Sequence, residues 1–211
     1  MNKQKALWEK LARENSRYYI NSDYGHGITE EEFKKSGARD YAKYILADDL
    51  IVDNFKLKEC TLLEIGCGTG RMTEFMADDF CLVIGTDISG EMIAQAQERL
   101  EGLVNVELLE TRGDSLSLPD DFVDLAFSYL VFQHMKDRAT VEKNFREIYR
   151  VLRPEGMFKV LIRSDKVDVN KWWGGVEYTE QTMGKLIKEV GFKLLKTEPR
   201  DEFGFWLWLK K

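Results

Sequence analysis

Two rhythms of apolar residues alternate along this chain from about residue 60 to its end. Continuous or every-second apolar runs mark strands, and apolar residues recurring at three and four positions mark helices. Strands are expected over 61–65, 82–86, 104–109 (Val106 and Leu108 alternating), 123–128, 157–162, 192–197 and 203–209. Near the N-terminus, residues 5–15 read as a helix with Leu7, Trp8 and Leu11 on one side, and 38–55 as a longer one. The helix after the first strand carries Met72, Phe75 and Met76. The next is capped by Ser89 and carries Ile93, Ala96 and Leu100. Val141, Phe145, Ile148 and Leu152 mark a further helix that stops at Pro154 and Gly156. Met183, Leu186, Ile187 and Val190 line the last, which ends at Gly191.

Strands alternating with helices call for a parallel sheet with right-handed crossovers. The last two strands, joined by a turn around Pro199, Arg200 and Asp201, are expected to make an antiparallel hairpin at one edge. The chain is therefore expected to be α/β, a doubly wound Rossmann-like sheet of seven strands.

The chemistry concentrates at the first two strand ends. LLEIGCGTGRM, residues 62–72, is an apolar strand that ends in Glu64 and runs through Gly66, Gly68 and Gly70 toward a helix. The second strand ends in Asp87, 21 residues after Gly66. Glycines at such a turn allow close approach of the backbone to a ligand, with helix N–H groups expected to face it. A carboxylate about 20 residues on can accept two hydrogen bonds from a ribose diol. Together these features describe a pocket for an adenosine-like cofactor.

Glycine spacing discriminates between cofactors. The dinucleotide fingerprint G-x-G-x-x-G needs glycine at position 71, which is Arg71, and this weighs against a nicotinamide dehydrogenase. The pattern here is E-x-G-x-G-x-G. An acid two residues before the first glycine suits a ligand with sulfonium and ammonium charges better than a pyrophosphate. The segment resembles motif I of the class I S-adenosylmethionine-dependent methyltransferases, and the resemblance extends over about residues 40–211. It implies the strand order 3-2-1-4-5-7-6 with a reversed last strand, and S-adenosylmethionine bound beyond strands one and four. An N-terminal helical lid over 1–39 would precede a methyltransferase domain over 40–211.

The same resemblance assigns further residues. Gly66, Cys67 and Gly68 form the turn that approaches the cofactor. In TRGDSLSLPDDFVDL, residues 111–125, Asp114 would accept from the adenine amine and the Ser115 N–H would donate to a ring nitrogen. Ile88 would cover one face of the base. Ser128 and Tyr129 would meet the methionine end. Arg71 is expected either to reach the cofactor carboxylate or to be a solvated surface arginine. Asp114 also has an ordinary reading as a turn acid bonded to its own backbone.

Composition narrows the classes. With 211 residues, 44% of them hydrophobic, the chain can build one core, and three prolines leave no evident linker. No apolar run is long enough for a membrane span, and the charged N-terminus does not read as a signal peptide. A net charge of −6 gives no general attraction to nucleic acid. Cys60, Cys67 and Cys81, without a C-x-x-C pair, read as reduced buried thiols of a cytoplasmic protein. Two histidines leave little for a zinc site, and the Glu30–Glu32 run reads as a solvated helix start, so no metal is expected.

No catalytic residue is assigned. Methyl transfer from a sulfonium needs alignment and exclusion of water more than a dedicated base. His134 is the candidate general base, with a loop-fixing role as the favoured reading. The signatures of amino-methylating and cytosine-C5 nucleic-acid enzymes are missing from strand four, so a small-molecule acceptor is expected. A protein methyltransferase or a non-catalytic S-adenosylmethionine-binding module are the alternatives. Acceptor identity is expected to lie in two segments: the N-terminal aromatics Tyr18, Tyr19, Tyr24, His26 and Phe33, and residues 164–178 with Trp172 and Trp173. One reading of the tryptophans stacks them on the acceptor, the other packs one and leaves the other half-exposed. Trp206 and Trp208 are expected in core and edge packing.

Overall fold

The computed structural model describes residues 3–165, 168, 170–201 and 204–211. They fall into two compact units divided after Glu110. Seven strands form one sheet in the order β3-β2-β1-β4-β5-β7-β6, as expected.

In the first unit, helix α1 (Lys3–Ile20) runs five residues beyond its expected end. Asn15 leaves helical geometry (φ −170°, ψ 80°), and its side-chain oxygen accepts the Tyr18 N–H at 3.2 Å. It acts as an internal cap that restarts the helix, so the element continues through a kink. Helix α2 (Glu30–Tyr41) begins at the Glu run read as a helix start and continues into the stretch expected to be helical from residue 38. Thr29 caps it: its hydroxyl accepts from the Glu32 N–H at 3.2 Å, and the Glu32 carboxylate accepts from the Thr29 N–H at 2.9 Å. This reciprocal pair outweighs the polar composition of the segment. The single helix expected over 38–55 is instead the end of α2, a π turn over Ala42–Leu46 and a short α3 (Asp49–Val52). Asp48 makes the break by accepting the Leu50 N–H at 3.0 Å.

Strands β1 (Thr61–Ile65), β2 (Leu82–Asp87) and β3 (Val106–Glu110) pair in parallel, with Leu63 opposite Ile84 and Gly85 opposite Leu108. Strand β3 starts two residues later than expected because Val104 is fully exposed. Between the strands lie α4 (Thr73–Met76) and α5 (Gly90–Arg99), the latter capped by Ser89 as expected.

The second unit contains β4 (Val123–Ser128), α6 (Arg138–Val151), β5 (Leu152–Arg163), α7 (Glu180–Val190), β6 (Lys193–Asp201) and β7 (Gly204–Lys210). Leu152 opens β5 directly opposite Val123, five residues before the expected start, and Pro154 sits in its exposed first stretch beside a register shift in β4. Strand β7 is antiparallel to both β5 and β6. Pro199 and Asp201 pair with Phe205 and Gly204, so the turn expected around 199–201 is strand. Phe203, expected to open the last strand, lies outside the described residues. Phe127, Phe145 and Phe158 are fully buried. Trp206 and Trp208 are buried too, and the Lys159 ammonium lies 5.0 and 4.7 Å from their ring centroids. Among the described residues, no helix is long and apolar enough to cross a membrane.

Candidate functional site

Gly66, Gly68 and Gly70 have φ of +74°, +56° and +80°, so every second residue of the turn after β1 is in the left-handed region. That backbone coils tightly and spends four of its N–H groups internally. Gly66 and Cys67 both donate to the Thr86 carbonyl, at 2.7 and 2.9 Å, and Gly70 donates to the Cys67 carbonyl at 3.0 Å. Gly68 donates to Asp87 Oδ2 at 3.0 Å. Helix α4 begins only at Thr73. Four N–H groups of the expected cradle are thus already bonded, three to backbone carbonyls and one to the Asp87 carboxylate.

The charge at these strand ends has the opposite sign. Glu64, on β1, is buried and accepts from the Thr73 hydroxyl at 2.6 Å. Burial pushes its carboxyl up to about 7, against the Thr73 hydrogen bond and the Arg71 charge. Asp87, at the end of β2, is half-buried and accepts from Gly68 and, at 2.8 Å, from the Ser89 N–H. Desolvation raises it to about 6, although those backbone N–H groups favour its ionised form. Two acids held above their ordinary range in one turn form a site that a cationic, diol-bearing ligand would satisfy. Ile88 beside them is half-buried, and Cys67 is a buried thiol whose pKa burial raises. Cys60 is buried as well, whereas Cys81 is exposed, contrary to expectation, because it precedes β2.

Arg71 is not solvated. It is buried, and its Nη1 donates to Ser36 Oγ at 3.1 Å and Asp40 Oδ2 at 2.7 Å on α2. A Cβ on Gly37 would collide with the Arg71 carbonyl oxygen, so α2 docks on the turn by backbone contact. Helix α1 reaches the same place. A Cβ on Gly68 would lie 2.8 Å from Ile20 Cδ1. Farther along α1, Glu9 accepts the Gly90 N–H at 2.8 Å, capping α5 from outside the local sequence. Ile20, Asp40, Thr73 and Glu9 were not anticipated. The Glu30–Glu32 run had marked the start of α2, but not its docking on the turn.

In the second unit, Asp114 is half-buried and Ser115 exposed. Asp114 Oδ2 pairs with Lys143 at 3.0 Å, an ion pair the sequence did not suggest. Helix α6 fastens this loop: Asn144 donates to the Gly113 carbonyl at 2.7 Å, and Glu147 accepts the Leu116 N–H at 2.9 Å. Ser128 is buried at the end of β4, and Tyr129 stacks on Trp206 with centroids 5.6 Å apart. His134 is buried, stacked 6.1 Å from Trp172, and pushed down to about 3 by burial and by the charges of Arg163 and Lys136. It is neutral at pH 7 and too weak a base for proton abstraction, which fits the loop-fixing role. Trp172 is partly buried and Trp173 is 41% exposed. Glu30, Glu31 and Glu32 form the exposed first turn of α2, and no acid, histidine and cysteine cluster for a metal is present among the described residues.

Residues 63–160 match the model of a methyltransferase domain. The chain is 28% identical over 221 residues to phosphoethanolamine N-methyltransferase 1 of Arabidopsis thaliana, covering 93% of this chain and 43% of that protein. It is 36% identical over 124 residues to cyclopropane-fatty-acyl-phospholipid synthase of Escherichia coli (strain K12), covering 57% of this chain and 31% of that protein. The chain therefore spans less than half the length of these curated relatives. In fold it is similar to a SAM-dependent methyltransferase from Aquifex aeolicus, with a TM-score of 0.64 at 20% identity, covering 87% of this chain and 98% of that one.

Proposed function

We propose that this chain is a class I S-adenosylmethionine-dependent methyltransferase, an enzyme that transfers a methyl group to a small-molecule acceptor. The observation that carries this reading is the turn itself: Gly66, Cys67, Gly68 and Gly70 spend their N–H groups internally, and two carboxyls, the buried Glu64 and the half-buried Asp87, stand at its edge. The residues fit the cofactor. Asp87 would hold the ribose hydroxyls, Ile88 would cover the base, and Glu64 would face the cationic amino-acid end by charge attraction. Gly66, Cys67 and Gly68 supply the close approach. When bound, S-adenosylmethionine supplies an activated methyl on a sulfonium, so the chain has only to bind, orient and keep out water.

Several assignments remain part of the proposal. Asp114 and Ser115 would take the adenine, with Lys143 giving up Asp114, while Ser128 and Tyr129 would meet the methionine end. Arg71 serves the site from behind: it anchors α2 and lends its positive charge to Glu64. Residues 1–39 act as a lid, supported by Ile20 against Gly68. A small-molecule acceptor is supported by the printed activities of relatives that methylate phosphoethanolamine and a phytyl hydroquinone. Free thiols at Cys60, Cys67 and Cys81 support a cytoplasmic setting.

The test is turnover. Incubation with methyl-labelled S-adenosylmethionine and a protein-free metabolite extract should move label into a small molecule and yield S-adenosylhomocysteine stoichiometrically. Label appearing only in added protein would favour a protein methyltransferase. Binding without turnover would favour a sensor.

A further inference from the structure

Arg163 is the last residue of β5, and open α/β sheets take their ligands at the carboxyl ends of strands. Its side chain is only 9% exposed, yet the chain satisfies it incompletely. Nη2 donates to the Trp173 carbonyl at 3.1 Å, and Nη1 lies 3.0 and 3.1 Å from the two oxygens of Asp165. Nε is buried and donates to nothing among the described residues. A buried donor left without an acceptor carries an uncompensated desolvation cost. The guanidinium is thus set for one more oxygen than the chain provides.

The surroundings decide what that oxygen belongs to. Burial and the Arg163 charge hold the Lys136 ammonium below its usual range. His134 is kept neutral, first by burial and then by Arg163 and Lys136, so it contributes no negative or compensating charge. Two crowded cations beside a neutral imidazole make a field that favours an oxyanion over an alcohol or an amine. Asp165 satisfies part of that field now. Its carboxylate is partly exposed, lies two residues along the chain, and puts both oxygens on one nitrogen of the fork. Exchanging it for another carboxylate leaves the charge beside Arg163 unchanged, and a phosphate brings more negative charge to the two cations, so neither exchange strands the guanidinium.

We infer that Arg163 recognises an oxyanion, carboxylate or phosphate, carried by the methyl acceptor, and that Asp165 is an internal stand-in which the acceptor's oxyanion displaces. This rests on the methyl-transfer reading above and names the acceptor's class. Arg163 is a specificity-determining residue, not one that handles the reacting atoms.

Calorimetry with inorganic phosphate and with acetate, at an ionic strength fixed by chloride, tests it. One of the two anions should bind the wild-type chain; phosphate alone points to a phosphorylated acceptor and acetate alone to a carboxylic one. Arg163→Gln should raise that Kd at least tenfold, and Asp165→Asn should lower it severalfold. If Arg163→Gln binds as well as wild type, or if neither anion binds Asp165→Asn, the inference is overturned. Should the Gln variant fail to fold, the Nε–H resonance of Arg163 in the wild-type chain gives the answer. It should move on adding the anion, and a stationary resonance would overturn the inference. S-adenosylhomocysteine titrated into wild type separates the two readings, because its failure to bind would sink the methyltransferase proposal and leave the anion result standing.

Discussion

Arg71 Nη1 and Asp40 Oδ2 lie 2.7 Å apart with both side chains almost wholly buried, at 5% and 6% exposure. This pair ties the glycine-rich turn to α2, an element 31 residues earlier in the chain. Removing one partner of a buried pair strands the other charge, at a cost of about 3–5 kcal/mol. Asp40→Ala should therefore lose about that much stability in urea unfolding, and adding Arg71→Met should restore most of it. A loss below about 1 kcal/mol for Asp40→Ala would mean the pair is solvated and α2 is not fastened there.

Gly68 answers for both backbone and packing. At φ +56°, with Ile20 Cδ1 2.8 Å from an added Cβ, alanine meets strain from two sources. Gly68→Ala should cost about 1–3 kcal/mol. Ile20→Ala in the same chain should recover only the steric share, leaving the left-handed cost of about 1–2 kcal/mol. Full recovery in the double variant would show that the backbone conformation carries no cost.

The acid pair gives a pH dependence with a definite sign. A carboxyl whose folded pKa is raised contributes stability that is present below its unfolded value and lost as pH rises through the folded one. For Glu64 that window runs from about 4.5 to about 7. His134 works the other way, losing stability as pH falls below 6.5 toward about 3, so the comparison has to be made against a variant. Relative to Glu64→Gln, the unliganded wild-type chain should lose on the order of 3 kcal/mol between pH 4.5 and 8. Parallel unfolding curves for the two chains across that range would place Glu64 in water.

His134 should stay neutral wherever the protein is folded. Its ring resonances in an NMR pH titration should show no protonation step between pH 8 and 5, because the group is pushed down to about 3. A midpoint near 6.5 would return it to the list of general bases.

Most of the sheet was legible because a strand's period is local and its apolar face obligatory. Val123–Ser128 and Thr61–Ile65 stand where the residues put them. What escaped was decided by single polar side chains. Asp48 splits the apolar run over 38–55, and Asn15 restarts α1. The site divided in the same way. Glu64, Asp87 and the glycines were picked out by spacing, whereas Arg71's partner could not be, since Asp40 lies 31 residues away on a helix whose docking no local pattern reports. The fate of the turn's N–H groups depended on the Thr86 carbonyl, which no motif reports.

The account stands on Asp87 as the ribose acceptor beside a glycine turn edged by carboxyls. Calorimetric titration of S-adenosylhomocysteine into wild type and Asp87→Ala, with NADH as a control, tests it most directly. The account predicts binding to wild type, a loss of about 1–3 kcal/mol in the variant, and no heat from NADH. Equal affinity for the two chains, or saturable binding of NADH, would contradict it.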